Sequence, residues 1–155
     1  MKIRVLTIAA IVAMSATAVA QDITQAPTYS TLDLNTGFVP DPNTVSLAAG
    51  GSIEVSSDLG AGCTGYVANA PDVRLNYTAG ETFPLNIYVT SDADTTLVVN
   101  LPDGSWLCND DSQGFNPLLT MASPMSGQYD IWVGSYDGDS LPAATLKISE
   151  IDPQW

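Results

Sequence analysis

Four aspartates, Asp92, Asp94, Asp110 and Asp111, stand at the two ends of the stretch 92–112, which reads Asp-Ala-Asp-Thr-Thr-Leu-Val-Val-Asn-Leu-Pro-Asp-Gly-Ser-Trp-Leu-Cys-Asn-Asp-Asp-Ser. Carboxylates held that close repel unless a cation joins them. Calcium is the cation this donor set fits, because it takes about 6 to 8 oxygen ligands from carboxylates and carbonyls on loops. Asn109 and Ser112 add neutral oxygens beside the acids. The spacing is not that of an EF-hand, which needs alternating acids, a glycine and a distal glutamate. The competing explanation is that Asp and Asn populate turns and strand ends by bonding to their own backbone. Asp137 and Asp139, in the run 135–140, form a second and weaker acidic loop.

The element that must bring these acids together is a β-hairpin. Residues 95–101 are β-branched and aliphatic, Pro102-Asp103-Gly104 supplies the reversal, and residues 105–109 return with a tryptophan and a cysteine. With the turn centred on Asp103, the acids of the two feet fall within about two residue rises of 3.3 Å of each other.

Missing residue types exclude whole classes of chemistry. The chain has no histidine, so neither a Ser-His-Asp triad nor a Cys-His pair can be assembled. The run Gly138-Asp139-Ser140-Leu141 matches the tag of one esterase family, but it lies near the end of the chain and lacks the histidine base. A carboxylate-pair glycosidase needs a cleft, and no insertion here is long enough to form one. Zinc is disfavoured without histidine and with both cysteines oxidised. The reading is therefore not an enzyme.

Cys63 and Cys108 are the two cysteines, and in an exported protein such a pair forms one disulfide. Export is read from residues 1–20, where Lys2 and Arg4 precede an apolar run and Ala18-Val19-Ala20 makes a small-residue cleavage site. After cleavage only Arg74 and Lys147 stay basic against all 17 acids. Such a surface repels nucleic acid and anionic lipid, and no later run approaches the roughly 20 apolar residues of a membrane helix. The expected location is periplasmic or extracellular, with no membrane association after signal cleavage.

Hydrophobic alternation is period two throughout. Residues 21–43, with Pro27, Pro40 and Pro42, read as a flexible lead-in, 44–150 as one domain and 151–155 as a tail ending in a frayed Trp155. Val45 and Leu47, then Ile53 and Val55, flank Gly50-Gly51 as a first hairpin. Val73, Leu75 and Tyr77, then Leu85, Ile87 and Val89, then Leu97, Val99 and Leu101, then Tyr129, Ile131 and Val133, then Leu146 and Ile148 supply the inward faces of further strands. The fold class is all-β, an antiparallel jelly-roll-like β-sandwich of about eight strands with one disulfide. By the same alternation Tyr88 and Trp132 point outward, and with Trp106 they offer an aromatic platform of the kind on which sugars stack, unless loops cover them.

Between residues 73 and 148 the order of features resembles the bacterial pre-peptidase C-terminal domain family. The carriers are Tyr77-Thr78-Ala79-Gly80, Leu85-Asn86-Ile87-Tyr88-Val89, Asp94-Thr95-Thr96-Leu97-Val98-Val99, Pro102-Asp103-Gly104, Asn109-Asp110-Asp111-Ser112 and Ser126-Gly127-Gln128-Tyr129-Asp130-Ile131-Trp132-Val133. The resemblance implies a stand-alone member of a family of non-catalytic modules of secreted peptidases, in which the central hairpin and the Ser-Gly-x-Tyr strand are sheet neighbours and some relatives bind calcium. It covers about half of the chain, and the cysteine pair and the region before Val73 are less typical of it. The expected function is a non-catalytic exported accessory domain, with calcium as its candidate stabilising cofactor, that binds a protein or polysaccharide partner. The alternatives are a structural, surface-associated β-sandwich protein and a carbohydrate-binding module.

Overall fold

The computed structural model describes residues 21–138 and 140–155, so the signal sequence read at 1–20 and Asp139 lie outside the described residues. Eleven strands follow in chain order: β1 (Ser30–Asn35), β2 (Asn43–Ala48), β3 (Ile53–Glu54), β4 (Tyr66–Val67), β5 (Val73–Thr78), β6 (Leu85–Ser91), β7 (Thr95–Asn100), β8 (Trp106–Asn109), β9 (Leu118–Met121), β10 (Gly127–Ser135) and β11 (Ala143–Ser149). They form two sheets, a sandwich as expected. The larger runs β1-β5-β10-β4-β3, with β10 also paired to β7 and β7 to β8; the smaller runs β2-β11-β6-β9.

Alternation builds the core between them. Leu75, Tyr77, Leu97, Val99, Tyr129, Ile131 and Val133 from one sheet meet Leu47, Leu85, Ile87, Val89, Leu146 and Ile148 from the other. These are the inward positions that the period-two pattern assigns. At roughly 25 cal/mol per Å² of apolar surface removed from water, this burial is the main term favouring the fold.

The central hairpin has the expected register. Leu97 faces Asn109 and Asn100 faces Trp106, both pairs centred on Asp103. Gly104 closes the reversal at a positive φ of 83°, and the Asp103 carboxylate accepts the Ser105 N–H at 2.9 Å. Strand β10 lies beside β7, with Asp130 opposite Asn100 and Ser135 opposite Thr95.

Three expectations about the first half change. The segment 21–43 carries β1, which pairs in parallel with β5 from Ser30↔Val73 to Asn35↔Thr78. The sheet is therefore not wholly antiparallel, and the flexible lead-in is tied down. Arg74 does part of that tying, since its guanidinium donates to the Ile23 and Gln25 carbonyls at 2.7 and 3.0 Å while pairing with buried Asp130 at 2.7 Å. Residues 45–55 do not form a hairpin: β2 belongs to the smaller sheet and β3 to the larger. Gly50-Gly51 is a crossing between layers, where Gly51 lies so tightly on the Val67 backbone that any Cβ would collide with it.

Candidate functional site

At the end of the sandwich opposite the Asp103 turn, three connections converge. The β10–β11 connection is fixed to the β6–β7 turn by the Tyr136 N–H donating to the Asp94 carbonyl at 3.1 Å, and the β8–β9 connection by the Thr95 N–H donating to the Phe115 carbonyl at 3.2 Å. The turn before β7 is shaped by the Ser91 hydroxyl, which accepts the Ala93 N–H at 3.1 Å. Asp94 thus sits among carboxylates from two other loops. Burial raises its pKa first, and the charges of Asp111, Asp110 and Asp137 raise it further. Its Oδ1 is buried without a hydrogen-bond partner among the described residues.

The four aspartates are not gathered equally. Asp92 is exposed and lines a groove on the outer face of the smaller sheet, with Ser46, Thr90 and Thr145. The acids that act on Asp94 are Asp111, Asp110 and, from the second acidic loop, Asp137. Among the described residues no group of three or more acids, cysteines or histidines is drawn close enough to form a metal cage. Asn109 and Ser112 spend oxygens on each other, the Ser112 hydroxyl donating to Asn109 Oδ1 at 2.8 Å, and that oxygen also accepts the Leu118 N–H at 3.0 Å.

Cys63 and Cys108 are bridged, with Cα atoms 4.9 Å apart. The bridge pins the loop between β3 and β4 over the outer face of the larger sheet. Beneath it Val55, Cys63, Val67, Val98 and Trp132 form a second small core, with Leu59 and Trp106 packed against it.

The aromatic platform does not form. Tyr88 and Trp132 do face outward, but from different sheets, and both are fully buried. Trp106 joins only Trp132, their ring centroids 5.5 Å apart. Tyr88 is covered by the tail: its hydroxyl accepts the Gln154 N–H at 2.9 Å, Lys147 Nζ lies 5.5 Å above the ring, and Trp155 meets it edge-on at 5.3 Å. The end of the chain is a packed element and not a frayed one.

Two buried acids escaped the sequence reading. Asp72 is 2 % exposed and its Oδ2 accepts the Val133 N–H at 2.8 Å; burial pushes its pKa up to about 7, with that hydrogen bond opposing. Glu150 accepts the Tyr77 hydroxyl at 2.5 Å and the Gly37 N–H at 2.6 Å. Both stand just outside strands, where alternation gives no signal.

No protein-family profile matches the chain, and no curated protein matches it. A solved structure to which it is similar is the pre-peptidase C-terminal domain of a collagenase from Bacillus anthracis, at 14 % identity and a TM-score of 0.43, over 81 % of this chain and 97 % of that one. Among the described residues no helix is long and apolar enough to cross a membrane.

Proposed function

We propose that this protein is an exported, non-catalytic binding module of the pre-peptidase C-terminal type, stabilised by calcium at the loop end of its central hairpin. The observation that carries the calcium reading is Asp94: a carboxylate with one buried, unpartnered oxygen, facing the charges of Asp111, Asp110 and Asp137. Such a group is destabilising by itself. A divalent cation at Asp94 would offset this repulsion and give the buried oxygen a partner, with Asp111, Asp110 and Asp137 near enough to act by charge although they do not close a cage around it among the described residues. The binding role is supported by what the chain lacks, since without histidine no hydrolytic triad can be built. The family reading draws support from the quoted motifs falling on β5 to β8 and β10, with β7 and β10 adjacent.

Thermal unfolding in millimolar calcium and in chelator tests the cation. A ligand at about 100 times its dissociation constant stabilises the fold by ~2.7 kcal/mol. The shift should vanish in Asp94→Ala with Asp110→Ala and weaken as pH falls, because a proton competes for the raised carboxyl of Asp94. Identical unfolding of the wild type in calcium and chelator rejects the site.

A further inference from the structure

The groove that receives Asp92 has the makings of a ligand site. It measures about 450 Å³, within the range of small-molecule sites, and its floor is set by strand register. Thr145 of β11 lies opposite Ser46 of β2 and opposite Thr90 of β6, which lines three hydroxyl side chains across adjacent strands. Asp92, Asn116 and Trp155 also line the groove. Asn116 is oriented, because its Oδ1 accepts the Ser91 N–H at 2.9 Å, which turns its amide NH₂ to other partners. Trp155 is 47 % exposed although the tail that carries it is anchored, the Gln154 N–H on the Tyr88 hydroxyl and Lys147 Nζ on the Gln154 carbonyl.

An indole held at the edge of a row of hydroxyls, a carboxylate and an oriented amide is suited to a sugar ring. The ring's C–H face stacks on the apolar indole, while its hydroxyls exchange hydrogen bonds with acceptors and donors that protein groups of these types supply. A carboxylate accepts from two neighbouring hydroxyls at once. The formal charge of −13 disfavours uronate or sulfated glycans and leaves neutral ones. A groove of similar size on the other sheet, about 480 Å³ and bordered by Asp33, Asn76 and Gln128, has only buried Tyr77 as its aromatic.

We infer that the outer face of the β2-β11-β6 sheet binds a neutral saccharide, with Trp155 as the stacking surface and Asp92, Asn116 and the hydroxyl row as its polar partners. This rests on the binding-module reading and gives it a substrate class. The test is titration of the full chain with neutral trisaccharides of glucose, mannose, xylose and N-acetylglucosamine, followed by calorimetry and tryptophan fluorescence. At least one should saturate with a change in tryptophan emission. Trp155→Ala and Asp92→Ala should each weaken it at least tenfold, and Trp106→Ala, on the opposite sheet, should not. Thr145→Val, on a central strand, keeps the test open if loss of the indole loosens the tail, and should weaken binding several-fold. Asp94→Ala with Asp110→Ala should bind as the wild type does, which separates this site from the calcium site. Absence of saturation by every trisaccharide, or affinity unchanged in the Trp155, Asp92 and Thr145 variants, overturns the assignment.

Discussion

The two outer faces of the sandwich start from the same pattern and end differently. On the larger sheet Trp132 points away from the core and is sealed beneath the loop between β3 and β4, with Val55, Val67 and the Cys63–Cys108 bridge above it. On the smaller sheet Tyr88 also points away from the core, but it is covered by Lys147 and the last few residues without a cross-link, and Trp155 stays half open. Alternation decides which side chains leave the core; it does not decide whether water reaches them. That depends on chain arriving from elsewhere, and a cross-link holds such chain far more firmly than a ring edge and two hydrogen bonds do.

The largest effect should follow from unpinning the sealed face. Cys63→Ser with Cys108→Ser frees a loop spanning 45 residues, worth about 4 kcal/mol in the chain-entropy account. Thermal unfolding should register that loss, and the Trp132 emission should shift to the red as solvent enters. An unchanged melting temperature would mean that the small core under the bridge holds the loop unaided, and the contrast between the faces would then be one of packing alone.

A smaller effect comes from Asp72, an acid buried just before β5, in contrast to exposed Asp92. Asp72 keeps its proton in the fold up to about pH 7, whereas an unfolded chain releases it near ~3.9. Between those values the native state binds more protons than the unfolded state, so this contribution is fully present at low pH and is lost as pH rises towards 7. Between pH 5 and 7.5 the loss is roughly 2 to 3 kcal/mol. Asp72→Asn retains an oxygen for the Val133 N–H and should be less pH-dependent than the wild type by that amount, as measured by denaturant unfolding at the two pH values. Parallel pH profiles would show that Asp72 is ionised in place.

The sequence made the sandwich and its central hairpin legible because both rest on local signals. β-Branched runs, a Pro-Asp-Gly turn and strict alternation located β5 to β8 and β10, and the turn fixed the pairing of Leu97 with Asn109. The Cys63–Cys108 bridge is expected from an even cysteine count together with the expectation of export. What stayed hidden depends on partners distant in sequence. Strand β1 looks polar because it sits at an edge and pairs in parallel with β5, so only its inward leucines, Leu32 and Leu34, touch the core. Gly50-Gly51 resembles a hairpin turn, yet it marks a change of sheet. Asp92 and Asp94 are neighbours by any sequence measure, but one faces the groove beside β11 and the other the convergence of loops. The row Ser46, Thr145 and Thr90 consists of three unremarkable polar positions until registers align them.

The smallest effect belongs to the open face. Trp155→Ala removes a ring whose surface is 47 % exposed and whose main contact is the edge of Tyr88. Loss of that aromatic pair costs about 0.5 to 1.5 kcal/mol, against about 3 to 5 for Trp132→Ala, which empties a sealed site. Measured side by side in denaturant, the two tryptophan variants should differ severalfold in cost. A cost for Trp155→Ala near that of Trp132→Ala would make the tail a second lid, with its indole committed to covering Tyr88. A small cost together with lost saccharide affinity would instead assign the indole to the ligand, because a residue that contributes little to the fold but much to binding is placed for what it touches from outside.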